Sequence, residues 1–114
     1  MGKSQRDKGK RGERELVALL REYGYDCRRG QQYSGANGDA DVVGLPGIHI
    51  EVKRVERLNV YEAFMQAVRD CREDEMPVVF HRRSGQGWRC TLSLDAFMAL
   101  YSEWEARRSQ GREA

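Results

Sequence analysis

Residues 41 to 53 read DVVGLPGIHIEVK, and few folds can accommodate that order. Side chains along a strand point to opposite faces in turn. In IHIEVK, Ile48, Ile50 and Val52 share one face, and His49, Glu51 and Lys53 the other. In DADVV, Ala40 and Val42 share a face, and Asp39, Asp41 and Val43 the other. An antiparallel hairpin with its apolar faces together needs an odd-numbered loop, because a one-residue slip turns every side chain over. Leu45-Pro46-Gly47 supplies one. Val42 then stands opposite Ile50, and Asp41 opposite Glu51. Opposed Cβ atoms lie about 5 Å apart, so the two carboxylates repel unless a proton or a cation lies between them. Lys53 is two residues from Glu51 on the same face. Oxygen-only ligands favour a hard cation, Mg²⁺ or Mn²⁺. The plainer alternative is a surface ion-pair cluster of Asp39, Asp41, Glu51 and Lys53.

A third acid favours the site. In ERELVALLREYG, successive residues of a helix turn by about 100°. Leu16, Val17 and Leu20 form a stripe, and Glu13 falls within it at spacings i+3, i+4 and i+7. An inward carboxylate is unfavourable unless paired. Glu15 falls on the opposite side and is expected in solvent.

The rest of the chain alternates helix and strand signals. MGKSQRDKGKRG is polar with three glycines, and residues 1–10 read as a flexible basic arm. The first helix closes at Gly24. YDCRRG, ADVVG and IHIEVKR read as strands, with QQYSGANGD an irregular loop. Asn59 can cap a helix to about Cys71, with Glu62 at the capping-box position. PVVFHR and WRCTLS are strands around an SGQG turn, and a last helix, LDAFMALYSEWEARR, follows a cap at Ser93 or Asp95. Its stripe of Leu94, Phe97, Met98, Tyr101 and Trp104 reads mainly as core, with some left to cover a partner subunit. Residues 107–114 read as a frayed tail. The order implies a single α/β domain over 1–114, with a central mixed five-stranded sheet flanked by helices.

At 114 residues the chain supports one modest core. Its net charge is only +2, but six basic residues against two acidic ones lie between Met1 and Arg14. Others cluster at Arg28 and Arg29, at Lys53, Arg54 and Arg57, and at Arg82 and Arg83. One cationic face on a nearly neutral body suits a phosphate backbone. Cys27, Cys71 and Cys90 are scattered and read as buried free thiols of a cytosolic protein. No apolar run approaches the ~18 residues of a membrane span, and the basic N-terminus lacks the apolar core of a signal peptide.

The spacing of Asp41 and Glu51-Val52-Lys53 resembles the PD-(D/E)xK nuclease superfamily. With KGKRGERELVALLREYGYDCRR (8 to 29), SG (34 to 35), DVVG (41 to 44) and IEVKR (50 to 54), the chain is similar to the archaeal-type Holliday-junction resolvases and their phage relatives. The resemblance covers roughly residues 8 to 71. It implies a restriction-endonuclease-like core and a Mg²⁺-dependent endonuclease that resolves four-way DNA junctions. Glu13 matches the family's helical acid, and Asp41 and Glu51 its metal ligands. Lys53 matches the lysine that orients or polarises the attacking water. Arg29 matches an arginine ahead of a flexible loop, and Ser34 a serine of that loop. Gln66 sits on the second helix, where some members of the superfamily carry a supporting Gln, although its helical angle lies off the stripe of Val60, Phe64, Ala67 and Cys71. Two departures are visible. Ala40 stands where a Pro is usual, and the loop from Gly30 to Gly38 is long and followed by Asp39, which leaves open whether Asp39 assists Asp41.

The expected site is therefore Glu13, Asp41, Glu51 and Lys53, with Mg²⁺ (or Mn²⁺) held by the three acids and the Val52 carbonyl. Lys8, Lys10, Arg11, Arg14, Arg28, Arg29, Ser34 and Arg54 would bind branched DNA, and Tyr33 could stack on a base. A nearly two-fold junction that needs paired cuts implies a homodimer. The expected location is the cytoplasm of a microbe or a phage-infected host. The alternatives are a nuclease of the same fold acting on flaps, nicks or duplex, and a non-cutting DNA-binding module.

Overall fold

The computed structural model describes residues 3–31 and 40–113. Its elements are α1 (Lys3–Glu22), β1 (Arg28–Arg29), β2 (Val42–Val43), β3 (Ile48–Arg54), α2 (Val60–Asp70), β4 (Met76–Arg82), β5 (Arg89–Thr91) and α3 (Leu94–Glu113). The strands form one sheet in the order β1-β2-β3-β4-β5. β3 and β4 run parallel and the other neighbours antiparallel. This is the mixed five-stranded α/β sheet that the sequence implied.

The hairpin parity holds. Val42 pairs with Ile50, and the loop closes with the Ile48 N–H donating to the Leu45 carbonyl at 3.0 Å. β3 is central and is buried on both faces. On one face Ile50 and Val52 meet Leu16 and Val17 of α1, together with Cys27 and Val42. On the other, Val79 of β4 packs beneath Ala63 and Ala67 of α2. α2 is capped as expected, Asn59 Oδ1 accepting from the Glu62 N–H at 3.1 Å. α3 is capped by Ser93, whose Oγ accepts from the Ala96 N–H at 3.0 Å.

Several expectations are corrected. α1 begins at Lys3, so the stretch read as an arm to residue 10 is helical from there on. Lys, Arg and Gln are good helix formers, and a helix already anchored by packing at Leu16 and Val17 propagates outward without a new nucleus. The tail read as frayed from 107 is likewise helical to Glu113. The stripe of α3 is not core. Leu94, Phe97, Met98, Tyr101 and Trp104 are all exposed, and Ala96 is the buried residue of that helix among the described residues. Of the cysteines only Cys27 is buried; Cys71 is half-buried and Cys90 exposed, and all three are free.

Two glycines admit close approaches that a side chain would block. A Cβ on Gly12 would lie 2.5 Å from the Arg54 Cβ, so α1 reaches β3 only with glycine there. Gly44, at φ +127°, leads out of β2, and a Cβ would lie 2.6 Å from both the Asp26 carbonyl oxygen and the Cys27 Cα. Neither backbone atom can step aside cheaply. Gly44→Ala should therefore destabilise the fold by about 3 kcal/mol through strain and overlap, read as a lowered midpoint in chemical denaturation. Gly87→Ala, which meets open space, should change it far less.

Candidate active site

The β2–β3 pairing breaks off where the site begins. Continued in register, Ala40 would face Val52; instead the Val52 N–H donates to Asp41 Oδ2 at 2.8 Å. The carboxylate thus takes over a ladder bond and is pinned beside β3. Glu51 follows from the opposed position and is 4% exposed. Asp41, Glu51, Lys53 and Glu13 line one cavity of about 790 Å³, with Val52 and Gln66.

Each charged group there has a named holder. Glu13 accepts from Arg29 Nε at 2.9 Å, at the edge of the core as its stripe position implied. Lys53 Nζ donates to Gln66 Oε1 at 3.0 Å and lies 4.0 Å from Glu51 Oε2. Glu51 Oε1 is 3.4 Å from His49 Nε2. Gln66 is brought to the site because α2 is rotated from the expected stripe. Small Ala63 and Ala67 are its buried residues, and that face carries Gln66 toward Lys53.

The electrostatics centre on Asp41. Burial, then the Glu51 charge, with smaller contributions from Glu13, push its carboxyl up to about 7 against the opposing Val52 N–H bond. His49 is raised by its hydrogen bond to Glu51 and by the charges of Glu51, Glu75 and Asp70, against a burial that lowers it. The Asp41–Glu51 pair therefore lacks positive charge, which is what a hard cation supplies, and its oxygen-only donors fit one. The fit is with the pair. Among the described residues no group of three His, Cys, Asp or Glu side chains is placed to hold a metal ion; Glu13 lines the same cavity but is drawn to Arg29.

Other expected site residues sit differently. Lys10, Arg11 and Arg14 are exposed on α1, within a sector of about 100°. Arg28 is exposed on β1. Arg54 is not a surface reader. Its side chain is 15% exposed, with Glu15 at 3.8 Å and Glu56 at 3.6 Å, and its Nε and Nη1 make no hydrogen bond among the described residues. Glu15, expected in solvent, instead accepts from Arg82 and from Trp88 Nε1 and sits beside Arg54. Tyr33, Ser34, Asp39 and the side chain of Lys8 lie outside the described residues. Sequence reasoning missed His49 as a partner of Glu51. The signal was its place two residues away on the same strand face.

No protein-family model and no curated protein sequence matches the chain. Among solved structures it is similar to Archaeoglobus fulgidus Hjc, a Holliday junction resolvase from an archaeal hyperthermophile, with a TM-score of 0.51 and 24% identity over 72% of this chain and 74% of that one. That likeness is one of fold. No helix among the described residues is long and apolar enough to cross a membrane.

The raised Asp41 value links stability to pH. Its folded value of about 7 lies above the ordinary 3.8, so the metal-free fold keeps a proton that the unfolded chain releases. The stability from the neutral carboxyl is full below about pH 3.8 and is lost as pH rises through about 7. In chelator, Asp41→Asn should melt above wild type at pH 8, and the gap should close toward pH 4.

Proposed function

We propose that this chain is one PD-(D/E)xK nuclease domain that hydrolyses phosphodiester bonds of branched DNA, with four-way junctions as the target. One observation carries the reading: the half-buried Asp41 and the buried Glu51 carboxylates converge, short of positive charge, beside the Lys53 ammonium. The fold likeness to a junction resolvase supports the target, as does the match of Glu13, Asp41, Glu51 and Lys53 to the superfamily pattern. DNA carries the phosphates that exposed Lys10, Arg11, Arg14 and Arg28 suit. Lys8, Ser34 and Tyr33, which lie outside the described side chains, are proposed as further DNA contacts from the sequence alone. The protein would act in a microbial or phage-infected cytoplasm, where unpaired thiols stay reduced.

Mg²⁺ or Mn²⁺ would be held by Asp41 and Glu51 with the Val52 carbonyl, and Glu13 would add negative charge from across the cavity. Bound there, the cation would neutralise phosphate charge and help activate water. The protein's own groups do the rest. The Val52 N–H keeps Asp41 in place. Gln66 holds the Lys53 ammonium at the cavity, where it can bind the attacking water or a phosphate oxygen. Arg29 fixes Glu13 rather than the DNA directly, so its removal should disturb the acid before it weakens binding.

A homodimer belongs to the same proposal. The exposed apolar side chains of α3 support it, since contiguous apolar surface of this kind marks contact with another chain. Sedimentation should then give a dimer that Trp104→Glu converts to monomer; a wild-type monomer at micromolar concentration ends that part.

The catalytic test compares wild type with Asp41→Ala, Glu51→Ala and Lys53→Ala on a four-way junction, with Mg²⁺ and with chelator. Each variant should lose about 100-fold or more in cleavage, and chelator should abolish it. Equal cutting by all four proteins would end the nuclease reading. Faster cutting of linear duplex than of junction would redirect the target.

A further inference from the structure

A second concave surface adjoins the candidate active site. It has a volume of about 320 Å³ and lies between the chain after β3 and the β4–β5 turn, lined by Glu56, His81, Arg83, Gln86 and Arg89 among others. It shares Val55 and Glu56 with the catalytic cavity, so the two are continuous at the end of β3.

The sheet register connects them more directly. Lys53 pairs with His81 across β3 and β4, and His81 with Arg89 across β4 and β5. Paired residues point to the same face, so these three form one row leading from the catalytic lysine outward. At about 4.8 Å per strand the row spans about 10 Å at the backbone. Its positive charge lies at its two ends, Lys53 and Arg89, with His81 between them held toward neutral by burial and by the Arg89 charge. Glu56 is engaged by the Ser84 N–H and Oγ, both at 3.1 Å, and by Arg54. Arg82 is held by Glu15. Arg83 and Arg89 are exposed on the groove, and Arg89 Nη2 donates to the neutral Gln86 Oε1 at 3.5 Å.

The groove is also preformed. The Glu56–Ser84 bonds tie the β4–β5 turn to the chain leaving β3, and the Gln86 N–H closes the turn onto the Arg83 carbonyl at 3.1 Å. Its two arginines are thus presented from an anchored turn and a strand rather than from a loose loop. A preformed groove carrying two exposed arginines beside a proposed phosphodiester-cleaving site fits the backbone of the same nucleic acid beyond the cut.

We propose that the groove between the end of β3 and the β4–β5 turn binds the DNA phosphate backbone past the scissile bond, with Arg83 and Arg89 as its contacts. The proposal rests on the DNA-cleaving reading above, and its test is made separable from it by measuring binding without cleavage. Affinity for a four-way junction is measured in chelator across a salt series for wild type, Arg83→Ala/Arg89→Ala, Arg83→Lys/Arg89→Lys, and a control of equal charge, Arg69→Ala/Arg72→Ala, two exposed arginines at and just past the C-terminal end of α2. The alanine pair should bind about tenfold more weakly and lower the salt slope by about 2, one per phosphate lost. The lysine pair should restore most of the affinity, and the α2 control should stay near wild type. An alanine pair that binds like wild type, or falls no further than the control, overturns the proposal, and so does a wild type that binds no DNA. A wild type that binds junctions but cuts no DNA sinks the nuclease reading while the groove is still decided by the affinities.

Discussion

Two carboxylates are forced together by the parity of a turn, and much of this molecule answers that constraint. With Leu45-Pro46-Gly47 as the loop, Val42 must meet Ile50 if the apolar faces are to share a core. Asp41 is then carried to Glu51 whether or not the encounter is favourable. It is unfavourable, and the burial and repulsion that lift the Asp41 carboxyl to about 7 express it. A fold selected for stability alone would place an apolar residue there. The Val52 N–H, His49 and the Lys53 ammonium make the arrangement tolerable without removing its need for positive charge. The tension is useful if a cation and a phosphate are to be drawn in.

The same economy governs the arginines. Charge counting suggests a broad cationic face, but several of these guanidiniums are already committed. Arg29 holds Glu13, Arg82 holds Glu15, and Arg54 lies against Glu15 and Glu56 under α1. A planar guanidinium is suited to such partly buried pairs in a way that lysine is not. The arginines free to meet a phosphate are those whose neighbouring acids are occupied elsewhere. Which ones these are follows from tertiary pairing and not from clustering along the chain.

That distinction marks how much could be read in advance. The hairpin register, the inward place of Glu13 and the Asn59 cap were legible because each rests on a local period: two residues per strand repeat or about 3.6 per helical turn. Glu15 was misread because its partners lie far along the chain, 67 residues away at Arg82 and 73 at Trp88. The helical wheel gave its side correctly as away from Leu16 and Val17, but the farther strands of the same sheet reach it there through Arg82 and, just before β5, Trp88. Gln66 was undervalued for a related reason. The wheel weighed Val60 and Phe64 by their apolarity, whereas the approach of α2 to the sheet is set by small Ala63 and Ala67. Apolarity tells which residues prefer burial; size tells how closely a helix can come.

The exposure of α3 has the same geometric root. A sheet has two faces, and here the central strands β3 and β4 are covered by α1 on one and α2 on the other. β1, β2 and β5 are two or three residues long and offer little further area. A third helix of 20 residues therefore finds no sheet face left within the described chain, however apolar its stripe. The molecule is accordingly elongated, 56 Å along its longest axis against 32 and 27 Å. Periodicity alone gives α3 the stripe of a core helix, and only the count of available faces explains why that stripe stays exposed among the described residues. On the homodimer proposed above, this apolar stripe would be the surface that meets the second copy.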